Sequence, residues 1–330
     1  MNNQWTTTDA WDWYNHQPWL IGCNFIPSTA INQLEMWQME TFDPETIDYE
    51  LDWAASLGFN TIRVYLHDLL WDNSSDGFRD RLDRFLKIAS SHRIRPIFVI
   101  FDDCWNSDFS LGKQPAPKPG VHNSGWAQSP GVNTVNKPLE WGRLQRYVKG
   151  LLTTFRNDAR ILMWDLYNEP GNSQQGEKSL PLLQAAFEWA WSVRPSQPLT
   201  AGLWFDNIPL NNFQLSACDV ITFHNYGSAQ NLENQIDQLR VHGRPLICTE
   251  YLARPADSRF ETHLPIFKRE RVGCLNWGLV AGKTNTIFAW NTPLDVPEPP
   301  EWFHDIFRKD GTPYRQEEVD LIRQMARNKE

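Results

Sequence analysis

The chain has 330 residues, of which 41% are hydrophobic and 22% charged, with a formal net charge of −9. That composition can bury a sizeable core and excludes wholesale disorder. The acidic balance argues against a nucleic-acid partner, which needs a basic face, and no apolar run of about 18 residues predicts a membrane span. The unusual feature is aromatic content: 18 Phe, 17 Trp and 8 Tyr.

The first 18 residues read as an N-terminal extension. Met1–Asp12 is polar, with neither a basic start nor an apolar stretch, so it does not read as a signal peptide. The cysteines (Cys23, Cys104, Cys218, Cys248 and Cys274) are odd in number, lack CxxC spacing and sit in or beside apolar segments. They read as reduced, buried thiols, and the expected location is cytoplasmic unless a leader has been removed.

Short, nearly continuous apolar runs follow. Trp19–Phe25 is the first, and Asp43-Pro44 then opens a helix through an N-cap and a first-turn proline, with Ile47, Leu51, Ala54 and Leu57 at helical spacing. Thr61–Leu66 is the second run, followed by a helical pattern on Phe78, Leu82, Phe85, Leu86 and Ala89. Pro96–Phe101 is the third, then a long Pro- and Gly-rich loop over Gly112–Pro138 and a helix marked by Leu144, Val148, Leu151, Leu152 and Phe155. Ile161–Leu166, Leu199–Leu203, Val220–Phe223, Pro245–Cys248 and Gly273–Trp277 complete the set. Weaker helices are expected over Leu180–Val193, Asn231–Val241, Phe260–Arg269 and Gln316–Arg327, and only one or two turns between the fifth and sixth runs.

Continuous apolarity suits parallel strands covered on both faces. Eight such runs alternating with helices predict a single-domain α/β fold, a (β/α)8 barrel spanning residues 1–330, closed by a C-terminal helix within 309–330. A doubly wound open sheet is the alternative, but Gly22-Cys23-Asn24-Phe25 is no dinucleotide fingerprint. The loop after the third strand and a second, Leu279–Pro300, after the eighth would lie on the C-terminal face, where barrel enzymes select substrates.

Two carboxylates stand out. Glu169 ends the run Ile161-Leu-Met-Trp-Asp-Leu-Tyr-Asn-Glu-Pro170, and Glu250 ends Pro245-Leu-Ile-Cys-Thr-Glu250-Tyr251. Each falls just past an apolar strand, the fourth and the seventh, on opposing walls of a closed barrel. Two carboxyls flanking a bond are what glycoside hydrolysis needs: one protonated to release the leaving oxygen, one ionised to attack or to activate water.

Asn168-Glu169-Pro170 together with Thr249-Glu250-Tyr251 resembles the clan A retaining glycoside hydrolases, and most closely the cellulase-like family 5. The likeness extends to Gly58-Phe59-Asn60-Thr61-Ile62-Arg63-Val64, His224-Asn225-Tyr226 and Trp277, and covers Leu20 to Trp277. It implies that Glu169 is the acid/base and Glu250 the nucleophile. It further implies that Asn168 bonds the sugar 2-hydroxyl, Arg63 and Tyr226 contact Glu250, His224 joins that network, and Trp277 floors the subsite of the cleaved sugar. The mechanism requires a raised pKa for Glu169, from desolvation and the nearby Glu250 charge.

Two positions depart from the family pattern. A His often stands near the end of strand three, where this chain has Asp102-Asp103-Cys104-Trp105, so one of Asp102 and Asp103 is expected to bond sugar hydroxyls instead. A glycine often follows the nucleophile's aromatic neighbour, where this chain has Leu252. Trp105, Trp126, Trp204 and Trp290 fall at strand ends or in top-face loops and are candidate sugar platforms, while Trp53, Trp141, Trp189 and Trp191 sit in helical patterns and read as packing.

The expected activity is hydrolysis of β-linked glucosides, mannosides or related oligosaccharides by double displacement, without metal or cofactor. The expected partner is a glycoside or oligosaccharide, with neither nucleic acid nor membrane. An endo-acting mannanase or cellulase, a transglycosidase and an inactive carbohydrate-binding barrel are the alternatives. A metal-dependent barrel is disfavoured because His67, His122 and His224 lack ligand spacing and HExxH is absent.

Overall fold

Eight strands form: β1 (Ile21–Asn24), β2 (Thr61–Tyr65), β3 (Arg95–Asp102), β4 (Met163–Asn168), β5 (Leu199–Thr200), β6 (Ile221–His224), β7 (Leu246–Tyr251) and β8 (Gly273–Trp277). The structure is a computed structural model and describes residues 3–327; the parts of the expected N-terminal extension and C-terminal helix that fall on residues 1–2 and 328–330 lie outside the described residues. All pairing along the sheet is parallel, in the order β5-β4-β3-β2-β1-β8-β7-β6. The remaining seam closes through Leu203 N to Thr222 O and His224 N to Leu203 O, both 2.9 Å. Helices intervene between the strands, so the chain folds as a single-domain (β/α)8 barrel with long loops after β3 and β8.

The strands extend beyond their apolar runs where the site begins. β4 runs to Asn168 and β7 to Tyr251, past the polar residues at which apolarity stops. Among those residues Asn168 and Glu250 are held by a common partner, Arg63, which donates to both. The segment after β5 holds a ten-residue helix, Ile208–Ala217, rather than one or two turns. Its start is defined by Asn207, whose side chain accepts from Leu210 N, with Pro209 in the first turn.

The core has two layers. Between sheet and helices, Phe25, Phe85, Phe98 and Trp164 pack ring to ring, each such burial stabilising by about 1.5–3 kcal/mol. Inside the barrel, Leu20, Ile97, Met163, Val220, Ile247 and Leu275 fill the N-terminal end. The helix Thr7–Asn15, started by a capping box between Thr6 and Asp9, seals that end with Tyr14 and Trp13.

At the opposite end the two long loops join. Ser129 and Asp102 exchange backbone hydrogen bonds of 2.6 and 2.9 Å, and Asn123 N donates to Thr284 O at 2.8 Å. The buried ion pair of Arg254 and Glu318, at 2.6 Å, fastens the helix Gln316–Ala326 to the chain after β7. All five cysteines are free and buried, and among the described residues no helix is long and apolar enough to cross a membrane.

Candidate active site

Arg63 is the hub of the barrel mouth. It points inward from β2 and is fully buried. Nε and Nη2 donate to Asp165 Oδ2 at 3.0 and 2.8 Å, Nη2 to Asn168 Oδ1 at 2.6 Å, and Nη1 to Asn24 Oδ1 at 3.0 Å and Glu250 Oε1 at 2.7 Å. Burial works against its charge, but Tyr65, Asp165 and Glu250 outweigh that and hold it protonated. One rigid fork thus orients residues from β1, β4 and β7 together.

Glu250 is gripped at both oxygens. Oε1 accepts from Arg63 and from Tyr65 OH at 2.9 Å, and Oε2 accepts from Tyr226 OH at 2.8 Å. A register shift in β7 after Cys248 pairs Glu250 with His224 of β6, so both side chains face the cavity.

Glu169 follows β4 in a left-handed conformation, φ +43°, which turns its side chain across the mouth. Its Oε1 lies 2.8 Å from His224 Nδ1, and Oε2 accepts from Cys104 Sγ at 3.1 Å and Asn172 Nδ2 at 2.6 Å. His224 Nδ1 is also 3.4 Å from Glu250 Oε2, so it bridges the carboxylates. The expectation of a raised Glu169 pKa is overturned here. Burial pushes this carboxyl up, but the hydrogen bonds from His224, Cys104 and Asn172 outweigh burial and leave it below its ordinary range.

Both glutamates open onto a cavity of about 530 Å³, within the usual range for small-molecule sites. Asn168, His224 and Tyr226 line it, as do Trp105, Trp126, Trp204, Trp277 and Trp290. Trp126 lies edge-on to Tyr65 at 5.0 Å and 5.6 Å from Trp277, forming one aromatic floor, while Trp290 stands perpendicular to Tyr226 at 5.1 Å. Arg63 is behind the wall and acts through the groups it holds.

Asp102 and Asp103 do not line the cavity, contrary to the expectation that one bonds sugar hydroxyls. Asp102 accepts from Asn168 Nδ2 at 2.9 Å and Trp126 Nε1 at 2.7 Å. Asp103 accepts from Tyr167 OH at 2.7 Å, Gly171 N at 2.8 Å and Ser179 Oγ at 2.5 Å. Their oxygens are occupied by protein donors, and burial raises Asp102 to about 7 and Asp103 to about 6. Asp102 positions Asn168 and Trp126, and Asp103 braces the turn that carries Glu169.

Sequence reasoning missed Tyr65, Asp165, Cys104, Asn172, His122 and His304. Tyr65 is two residues from Arg63 and so on the same face of β2, a signal strand alternation carries. Asp165 is a charge inside an apolar strand, the same signal that singled out Arg63. Cys104, Asn172, His122 and His304 sit in connecting segments and carry no such pattern.

Glu169, His224 and Glu250 offer ligand atoms all within 4.8 Å of one another, a donor set of a kind that metals use. Arg63 already stands 2.7 Å from Glu250 and opposes a second cation there.

No protein-family model and no curated protein matches the chain. Solved structures do. The chain is similar to GH5_18 from Streptomyces cattleya, solved with GlcNAc, at a TM-score of 0.63 and 14% identity, over 94% of this chain and 79% of that one. It is similar to the endo-β-1,4-mannanase of Thermotoga petrophila at a TM-score of 0.60 and 15% identity, over 95% and 77%. It is similar to the exo-β-1,4-mannosidase Op5Man5 of Opitutaceae bacterium strain TAV5 at 0.62 and 17%, over 93% of this chain and 59% of that one. The chain has the fold of the family 5 glycoside hydrolases. Within this family 5 fold, the carboxylates found from strand ends occupy the C-terminal mouth, where barrel chemistry is carried out.

Proposed function

We propose that the chain is a retaining β-glycosidase acting on β-linked mannosides, glucosides or related oligosaccharides, with Glu250 as nucleophile and Glu169 as acid/base. One observation carries this reading: a Glu169 oxygen and a Glu250 oxygen lie within 4.8 Å of each other, bridged by His224 Nδ1. Retaining enzymes hold their carboxyls about 5–5.5 Å apart, whereas inverting enzymes need about 6.5–9.5 Å to admit water between them. The likeness to a Thermotoga mannanase and an Opitutaceae mannosidase favours mannosides within the class.

In the first step Glu250 attacks the anomeric carbon, the bond to the leaving oxygen breaks, and that oxygen takes a proton from Glu169. In the second, water gives a proton to Glu169, its oxygen bonds the anomeric carbon, and Glu250 leaves. The donors around Glu169 favour its ionised form in the free protein. A bound sugar that excludes water strengthens the opposing effect of burial and draws a proton onto the Glu169–His224 pair. Once Glu250 is esterified its charge is gone, and Glu169 returns to the ionised state that a base requires.

The test is hydrolysis of aryl β-mannosides and β-glucosides by the wild type, Glu169→Ala and Glu250→Ala. Both variants should lose about 10²-fold or more in kcat/KM. With azide, Glu250→Ala should yield the α-glycosyl azide and Glu169→Ala the β-glycosyl azide. Undiminished hydrolysis in both variants would overturn the assignment.

A further inference from the structure

The loops that rim the cavity are joined along one side. His122 and Asn123, from the loop after β3, line the cavity, and so do Trp290 and His304, from the chain beyond β8. The two segments bond each other in the cavity wall itself: His122 Nδ1 lies 2.8 Å from Phe288 O, and Asn123 N donates to Thr284 O at 2.8 Å. Nearer solvent, Asn285 Nδ2 donates to Lys118 O at 2.9 Å and Asp295 N to Pro119 O at 3.2 Å. His122, Asn123, Thr284 and Phe288 are all buried, so the seam is closed to solvent.

The chain after β1 bonds both loops. Lys283 N donates to Ser28 O at 3.1 Å, Lys283 Nζ pairs with Glu35 Oε1 at 2.6 Å, and Asn32 Nδ2 donates to Gly125 O at 2.8 Å. Among the described residues none before Cys104 lines the cavity. On the side of β1 and β2 the cavity therefore ends at the joined loops, where barrel enzymes select substrates.

This wall stands on the side of Glu250. Tyr226, which bonds Glu250 at 2.8 Å, lies 5.7 Å from the His304 ring and 5.1 Å from Trp290, and Trp277 lies 6.4 Å from His304. Glu169 faces the other rim. Asn172 bonds it at 2.6 Å, and Ser173 and Trp204 line the cavity beside that turn, with Trp204 Nε1 donating to Pro170 O at 3.1 Å. A leaving group that takes its proton from Glu169 departs over that rim, whereas the sugar bonded to Glu250 is held against the wall.

We propose that the enzyme is exo-acting: the joined loops stop the substrate at the sugar transferred to Glu250, so that only a terminal, non-reducing unit is removed. The inference rests on the glycosidase reading above. A second sugar attached to the far side of that unit would have to displace the buried seam, and such a clash selects against internal cleavage. The bond broken is the one that links the terminal unit to the rest of the substrate, and the rest leaves with the proton from Glu169.

The experiment gives the wild type and Glu250→Ala four substrates: aryl β-mannoside, aryl β-glucoside, and the aryl β-mannobioside and β-cellobioside that carry one further sugar. Released phenol, monosaccharide and disaccharide are followed together from the first moments of reaction. Monosaccharide should be the first sugar product from every substrate that is cleaved. Free phenol should appear at once from a monoside, but from a bioside only after a lag, or not at all, with intact disaccharide below about a tenth of the initial sugar product. Glu250-dependent release of phenol and intact disaccharide from either bioside without a lag, at about a tenth of the initial product or more, overturns this inference and leaves the glycosidase reading standing. Absence of Glu250-dependent cleavage of all four substrates overturns the glycosidase reading itself, and this inference with it.

Discussion

Arg63 Nη1 and Glu250 Oε1 form an ion pair 2.7 Å long at the barrel mouth, with 0% and 5% of the two side chains exposed. Desolvating two charges is expensive, and the cost is met only when geometry and extra hydrogen bonds are good. Here Arg63 also bonds Asn24, Asp165 and Asn168, so the pair is one edge of a network joining strands on different walls. Removing the cation leaves Asp165 and Glu250 as uncompensated buried charges.

Arg63→Met, which keeps most of the stem volume, should lower unfolding free energy by about 3–5 kcal/mol and reduce kcat/KM by roughly 10²-fold or more. Arg63→Lys should recover little, because one ammonium cannot span partners that the planar fork reaches from three nitrogens. Urea unfolding alongside kinetics checks this. A lysine variant with wild-type stability and rate would show that the fork does not organise the site.

Glu169 and Glu250 were legible in the sequence because each ends an apolar strand, and Arg63 because it is a charge inside one, where polarity is costly without purpose. Asp102 and Asp103 carry the same signal but serve the scaffold. What separates the cases is which donors meet the carboxylates, and those donors, Trp126 and Asn168 for one and Tyr167, Gly171 and Ser179 for the other, lie far off in sequence. The low pKa of Glu169 was illegible for the same reason. Burial predicts the opposite sign, and donors that only the fold brings together, His224 at 2.8 Å first and then Cys104 and Asn172, decide it.

Cys104 stands near the end of strand three, where family 5 members often place a histidine, and its thiol donates to Glu169 Oε2 at 3.1 Å. Losing a donor to the ionised form raises a carboxyl pKa. In the proposed mechanism Glu169 must be ionised to activate water, so in Cys104→Ala the acid limb of the kcat–pH profile should move upward, and kcat/KM should fall less than about tenfold. Cys104→Ser, which keeps a donor, should restore the wild-type limb. An unmoved limb in the alanine variant would mean that the thiol does not influence Glu169.

Leu252 takes φ +81°, the region that favours glycine, and its side chain is fully buried. A left-handed non-glycine backbone costs about 1–2 kcal/mol, whereas truncating a buried leucine costs about 2.7–5 kcal/mol, so packing wins and leucine is tolerated. Leu252→Gly should therefore be less stable than the wild type. It should nonetheless be more stable than Leu252→Ala, by about 1 kcal/mol, because only glycine relieves the strain. That order reverses the usual alanine-over-glycine preference, and urea midpoints of the two variants decide it.

Asp102 supplies a stability signature with a definite sign. Burial holds its folded-state pKa near 7, while an unfolded aspartate titrates near 3.9. Between these values the folded protein holds a proton that the unfolded chain has lost, so this group's contribution is complete below about pH 4 and disappears as pH rises through 7. Asp102→Asn removes the titration. Its stability relative to the wild type should improve by up to about 1.4 kcal/mol per pH unit from about pH 4 to 7 and level off above, whatever constant offset arises because an amide meets Trp126 and Asn168 less well. Chemical denaturation of both proteins at pH 5, 6, 7 and 8 measures the slope. A difference that is flat or falls over this range would show that Asp102 is ionised in the folded protein and that its bonds from Asn168, Trp126 and Cys104 overcome its burial.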